Sequence, residues 1–182
     1  MARGPDGFLT FLQAWVAEAA ILLNWTRQLG SPIVAIGGVS LGALTSQLVA
    51  STSQAWPSTL RPDAMFLVTT TGTMLDLVDG SLCRGVGFKA ELERTGWSTD
   101  DLNHWSPLLD PTQMPVMVPD RIVVALGKAD DLMPYAGGRA LVDRWQVPDG
   151  NVFARPQGHF SVPLGMFAEP APIERFLTVL SQ

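Results

Sequence analysis

The stretch Pro32-Ile33-Val34-Ala35-Ile36-Gly37-Gly38-Val39-Ser40-Leu41-Gly42, running on into Ala43-Leu44-Thr45-Ser46-Gln47-Leu48-Val49, constrains this chain more than any other. An apolar run of strand length, a Gly-x-Ser-x-Gly turn and a helix-forming run follow one another without a spacer. Such a turn holds the serine at a strained dihedral, with its hydroxyl clear of its own backbone. Gly38 and Gly42 remove the side chains that would keep strand and helix apart. Other glycine-rich strand-to-helix turns do not fit. No Gly-Lys-Ser/Thr follows, so there is no P-loop, and Val39 stands where a dinucleotide fingerprint needs its second glycine.

The rest of the chain extends the same alternation. Residues 8–28 read as a helix closed by Gly30-Ser31-Pro32, and residues 33–37 as the strand before the turn. A helix over 41–51 follows, then a strand over 64–68. Residues 121–127 are apolar without alternation, as in a strand covered on both faces. A helix is expected over 135–145 and a short strand over 151–155. In the last helix, Ile173, Phe176, Leu177 and Leu180 fall at i, i+3, i+4 and i+7 and predict its core face. Strands alternating with helices predict an α/β fold, a parallel sheet covered by helices on both faces. With 182 residues the chain is expected to form one domain, 1–182. Residues 73–118 break the rhythm and read as a lid-like insertion. Within it Glu91-Leu92-Glu93-Arg94 is a short helical piece, and Ser98 and Asp101 have capping-box spacing.

Composition narrows the partners. Apolar residues make up 47% and charged residues 16%, a core-rich balance. The net charge is −5 and the only lysines are Lys89 and Lys128, so no basic cluster exists to neutralise nucleic-acid phosphates. A single cysteine, Cys83, excludes an internal disulfide and leaves the cytosol as the default compartment. The first helix is greasy, but Gln13, Glu18 and Asn24 interrupt it, which argues against a membrane span. Thr10, Gln13, Asn24 and Gln28 form a polar stripe, so this helix is expected to be mostly buried in protein with one wet edge. Met1-Ala2-Arg3-Gly4-Pro5-Asp6 lacks the cationic start of a signal peptide.

A serine hydroxyl is a weak nucleophile and needs a base, which in turn needs an orienting acid. The chain offers two histidines. His159, in Gln157-Gly158-His159-Phe160-Ser161, follows the fourth strand, at the end of a parallel sheet where chemistry is usually placed. His104 lies in the lid-like segment and reads as a packed or solvent-facing residue; a zinc site with Asp100 or Asp101 lacks further His or Cys partners. The acid comes from Gly127-Lys128-Ala129-Asp130-Asp131-Leu132-Met133-Pro134, again past a strand. Asp130 is the candidate and Asp131 the fallback, the latter suited to the start of the 135–145 helix. The order is then Ser40, Asp130, His159.

The Gly38-to-Gly42 elbow, the strand–Gly-x-x-Asp-x-x-x-Pro element and Gly158-His159, in that order, resemble the catalytic elements of the α/β-hydrolase superfamily. The stretch from Ala14-Trp15 through the elbow to Phe160-Ser161-Val162-Pro163 is also similar to the group around alpha/beta hydrolase domain-containing protein 18. The superfamily resemblance implies serine hydrolysis of a small-molecule acyl ester, thioester or amide, without cofactor or metal. Ser40 would be the nucleophile, His159 the base, Asp130 the acid and the Leu41 backbone N–H an oxyanion donor. Met74, Leu75, Leu77, Trp97, Trp105, Leu108 and Leu109 in the lid would favour a greasy acyl group. The chain departs from the superfamily at its start, since about four strands and the loop with the second oxyanion donor have no counterpart before residue 30. The sheet is therefore expected to be truncated at its N-terminal side, with 33–37 as an open edge that invites an oligomer. That departure leaves a fragment, a late start or a non-catalytic binding module as alternatives, and a transferase using the same acyl-enzyme as another.

Overall fold

The computed structural model describes residues 4–73, 75–76, 88–98, 100–101, 104, 110 and 113–182. Its elements are α1 (Gly4–Gln28), β1 (Ala35–Val39), α2 (Leu41–Thr52), β2 (Ala64–Val68), α3 (Phe88–Arg94), β3 (Ile122–Gly127), α4 (Tyr135–Arg144), β4 (Val152–Arg155), α5 (Ser161–Gly165) and α6 (Ala171–Leu180). The four strands form one parallel sheet in the order β1-β2-β3-β4. Val39 pairs with Val68, Val68 with Ala125 and Gly127 with Arg155, so every strand ends at the same rim.

Side chains alternate across the sheet and sort the helices into two layers. Met65, Leu67, Ile122, Val124 and Leu126 point one way, onto Ala43 and Ala50 of α2 and Leu141, Val142 and Trp145 at α4. Phe66, Val68, Val123 and Ala125 point the other way, onto Val162 and Met166 around α5 and Phe176 and Val179 of α6. β3 is buried throughout, as its unbroken apolar run predicts. This is the α/β architecture expected, with helices on both faces.

Several details differ from expectation. The first strand is shifted two residues later, taking in Gly38 and Val39. Gly37 allows that, because a Cβ there would lie 2.7 Å from the Phe66 carbonyl oxygen. Arg121 and Asn151 belong to 3-10 turns ahead of their strands, joined by the Asn151 amide donating to Asp120 O at 3.0 Å. α6 is rotated relative to its predicted face. Pro172 and Val179 are buried while Ile173 and Leu177 are exposed, because the Phe66–Phe176 stack and the Arg175–Asn151 hydrogen bond fix the other edge of a broad apolar arc to the sheet. α1 is not mostly buried. Leu12, Ala20 and Leu23 form its covered stripe against α2 and Val34, and Ile21, Leu22 and Trp25 are more than half exposed. A single supporting helix covers one face only.

Among the described residues no helix is long and apolar enough to cross a membrane. Among the described residues β1 has a neighbouring strand on one side only, the open edge that the sequence predicts. Of the lid-like insertion, Met74, Leu77, Trp105, Leu108 and Leu109 lie outside the described residues, while Leu75 and Trp97 are half-buried. Ser98 and Asp101 cap reciprocally: the Ser98 N–H and Oγ donate to Asp101 Oδ2 at 2.8 and 2.6 Å, and Asp101 N donates to Ser98 Oγ at 3.1 Å.

Candidate active site

Ser40 sits between β1 and α2 with φ 57° and ψ −119°, a conformation that an L-residue rarely adopts. Gly38 permits it. A Cβ there would lie 2.6 Å from Gly42 O and 2.8 Å from Ala43 N, so strand and helix touch backbone to backbone. A Cβ on Gly42 would meet nothing within 4 Å, which confines the steric requirement to the first glycine. The Ser40 N–H donates to Val68 O at 3.0 Å, tying the turn to the end of β2. α2 has no side-chain cap, and Leu41 is its first residue. The Leu41 N–H therefore has no acceptor within the helix and carries the positive end of the helix dipole.

The loops leaving β3 and β4 are joined to each other. Lys128 N donates to Arg155 O at 2.7 Å and Ala129 N to Gln157 O at 3.1 Å. Gly127 makes the approach possible, since a Cβ there would stand 2.5 Å from Gln157 O. Asp130 and His159 meet across this junction, with His159 Nδ1 and Asp130 Oδ2 2.8 Å apart and their side chains 5% and 1% exposed. The other carboxylate oxygen accepts from the N–H groups of Leu132 and Met133 at 3.0 and 2.9 Å. With Asp130 an acceptor on both oxygens, the imidazole proton belongs on Nδ1, and Nε2 keeps the free lone pair. Phe160 packs edge-on to the ring at 5.1 Å, and the Gly158 N–H donates to Ser161 Oγ at 3.0 Å within the same turn.

The structure thus brings Asp130 and His159 together and places Ser40 on the same rim. The Ser40 hydroxyl makes no hydrogen bond with His159 or with any other described residue. Asp131 is exposed and lies outside the first turn of α4, contrary to its expected place at that helix start. The carboxylate beside α4 is Asp76, whose Oδ2 accepts from Thr71 Oγ1 at 2.6 Å. Together these two groups fill the space where a Cβ on Gly137 would be. His104 is exposed, and among the described residues no group of three His, Cys, Asp or Glu side chains is placed to hold a metal ion.

Behind the elbow lies a polar layer that the sequence does not announce. Gln47, Thr69, Thr70 and Thr71 are all buried. Gln47 Nε2 donates to Thr70 Oγ1, and to Thr71 O at 3.1 Å. Thr69 continues β2 beside Ser40 at φ 47°, an outlier for a β-branched residue, and its buried hydroxyl has no partner among the described residues. Three consecutive threonines after an apolar strand are the one hint, and they do not reveal the backbone strain.

Solved structures share this architecture. The Thermus thermophilus protein TT1662 matches with 18% identity and a TM-score of 0.51, over 83% of this chain and 57% of that one. Acyl-protein thioesterase 2 of Zea mays matches with 17% identity and a TM-score of 0.50, over 93% of this chain and 66% of that one. A carboxylesterase of the thaumarchaeon Nitrososphaera gargenis matches with 14% identity and a TM-score of 0.54, over 93% of this chain and 72% of that one. The chain therefore has the α/β-hydrolase fold and spans less than two thirds of the length of the first two structures. Neither a family model nor a curated protein sequence matches it, so the narrower likeness to the alpha/beta hydrolase domain-containing protein 18 group stands on sequence motifs alone.

Proposed function

We propose that residues 1–182 form a single serine hydrolase domain acting on a small-molecule acyl ester, thioester or amide. The observation that carries this reading is the buried Asp130–His159 pair on the rim where Ser40 is held at φ 57°. Ser40 Oγ attacks the acyl carbonyl carbon while its proton passes to His159 Nε2. The carbonyl π electrons move to oxygen, which the Leu41 N–H stabilises. Collapse of this adduct breaks the bond to the leaving group, which departs with the proton from Nε2. Water then attacks the acyl-enzyme by the same route and releases the acid. Asp130 holds the imidazole in the required tautomer and stabilises its charged form. The missing Ser40–His159 hydrogen bond is compatible with this chemistry, since such bonds often tighten only when substrate is bound. The fold shared with a thioesterase and a carboxylesterase supports the acyl class without choosing within it.

A second reading, a non-catalytic binding module that associates through the open β1 edge, is favoured by a Ser40 hydroxyl without a hydrogen-bond partner among the described residues and by the one-sided strand. Labelling with a fluorophosphonate separates the two. The hydrolase reading expects labelling of the chain at Ser40, lost in Ser40→Ala and strongly slowed in His159→Ala. Absence of labelling, or undiminished labelling of Ser40→Ala, would refute it.

A further inference from the structure

A cavity of about 390 Å³ opens at the opposite end of the sheet from Ser40, Asp130 and His159. Its walls come from the residues just ahead of three strands: Pro32 and Ile33 before β1, Arg61 to Asp63 before β2, and Val116 to Val118 with Arg121 before β3. A five-residue strand, at about 3.3 Å per residue, separates this end from the elbow rim by about 16 Å. The cavity is therefore no part of the site above, although its size suits a small molecule.

Its charge is the telling feature. Arg61 donates through Nε to Trp56 O at 2.6 Å, and Arg121 through Nη1 to Val179 O at 2.9 Å. Both hydrogen bonds go to neutral carbonyls and leave guanidinium N–H groups to spare. Neither arginine has an ion-pair partner among the described residues, whereas Arg27, Arg94, Arg139 and Arg155 all have one. Asp63 also lines the cavity, but its Oδ2 is already engaged by Arg27 Nη2 and by the Val34 N–H, each at 2.7 Å. In a chain of net charge −5, two arginines without an ion-pair partner among the described residues thus line one cavity. Ile33, Pro62 and Val116 supply an apolar wall beside them.

We propose that this cavity binds a small organic phosphate monoester, its phosphate held by Arg61 and Arg121 and its carbon body laid against the apolar wall. A phosphate monoester is close to a dianion near neutral pH and balances both guanidiniums, whereas a carboxylate balances one. Guanidinium forks also match phosphate oxygens in pairs. The site is independent of the acyl chemistry assigned to Ser40.

Titration calorimetry of the whole chain with phenyl phosphate, benzoate and phenol tests the idea. Saturable one-site binding of phenyl phosphate is expected, with benzoate about tenfold weaker and phenol not bound. Arg61→Gln and Arg121→Gln should each weaken phenyl phosphate about tenfold, and Arg61→Lys less than Arg61→Gln. Fluorophosphonate labelling of Ser40 should be the same in Arg61→Gln as in the parent, so failure of either site is distinguishable from failure of the other. No saturable binding of phenyl phosphate, equal binding of benzoate or phenol, or full retention in the Arg61→Gln/Arg121→Gln double variant would each overturn the proposal. Arg121 also anchors α6 through Val179, so the three-ligand series on the unaltered chain is decisive even where that variant fails to fold.

Discussion

Both oxygens of Asp130 are occupied, one by two backbone N–H groups and the other by His159 Nδ1, and that sets what a substitution there must do. In Asp130→Asn the side chain keeps its shape but gains an NH2 group, which faces either the N–H of Leu132 and Met133 or that of the imidazole. On the hydrolase reading the ring then turns to the wrong tautomer, and turnover of a small ester should fall by about 10³–10⁴. Steady-state kinetics measures this, and a loss below tenfold would mean that Asp130 does not orient the base. Thr69 makes a prediction of the opposite sign. Its hydroxyl is buried without a partner among the described residues, at a backbone strain that valine would share, so Thr69→Val should raise stability by about 1 kcal/mol in urea denaturation. A loss instead would reveal a partner for that hydroxyl.

α6 shows where element-level reading succeeds and where it stops. Its existence and span follow from apolar spacing, but its apolar residues cover so wide an arc that periodicity alone does not fix its rotation. The sheet selects the edge bearing Val179, through contacts with Phe66 and Asn151 that lie far away in sequence. Val179→Ala should therefore cost about 1–3 kcal/mol of stability, and Leu177→Ala less than about 0.5 kcal/mol, by equilibrium unfolding. The reverse order would restore the face read from periodicity. The Ser98–Asp101 box, in contrast, was legible because capping depends on residues three apart. The hydrogen bonds from Ser98 hold the Asp101 carboxyl below its ordinary value. A depressed acid stabilises its cap above the unfolded-state value and loses that contribution as pH falls through the folded one. NMR titration should place Asp101 below an unstructured aspartate, and Ser98→Ala should move it upward.

At the scale of the whole molecule, the parallel sheet, its open first strand and the shared rim were legible because βαβ units leave few ways to arrange such a sheet. The wet face of α1 was not, because a helix so apolar looks buried until the number of elements available to cover it is known. Ile21, Leu22 and Trp25 of that helix are exposed, and Val39 at the end of β1 is 44% exposed. Parallel sheets are rarely left open, and a strand with one free edge is a template for another chain. Two copies of this chain can satisfy it by pairing β1 with β1 about a twofold axis, an antiparallel join that leaves both rims free. Sedimentation velocity at micromolar concentration should then show a dimer. Val39→Lys places a charge on the open strand, as natural edges do, and should weaken the dimer about tenfold or more while leaving the fold intact by circular dichroism. A chain that sediments as a monomer at about 100 μM, a concentration at which even weak dimers form, would show that the open edge is not a self-association surface.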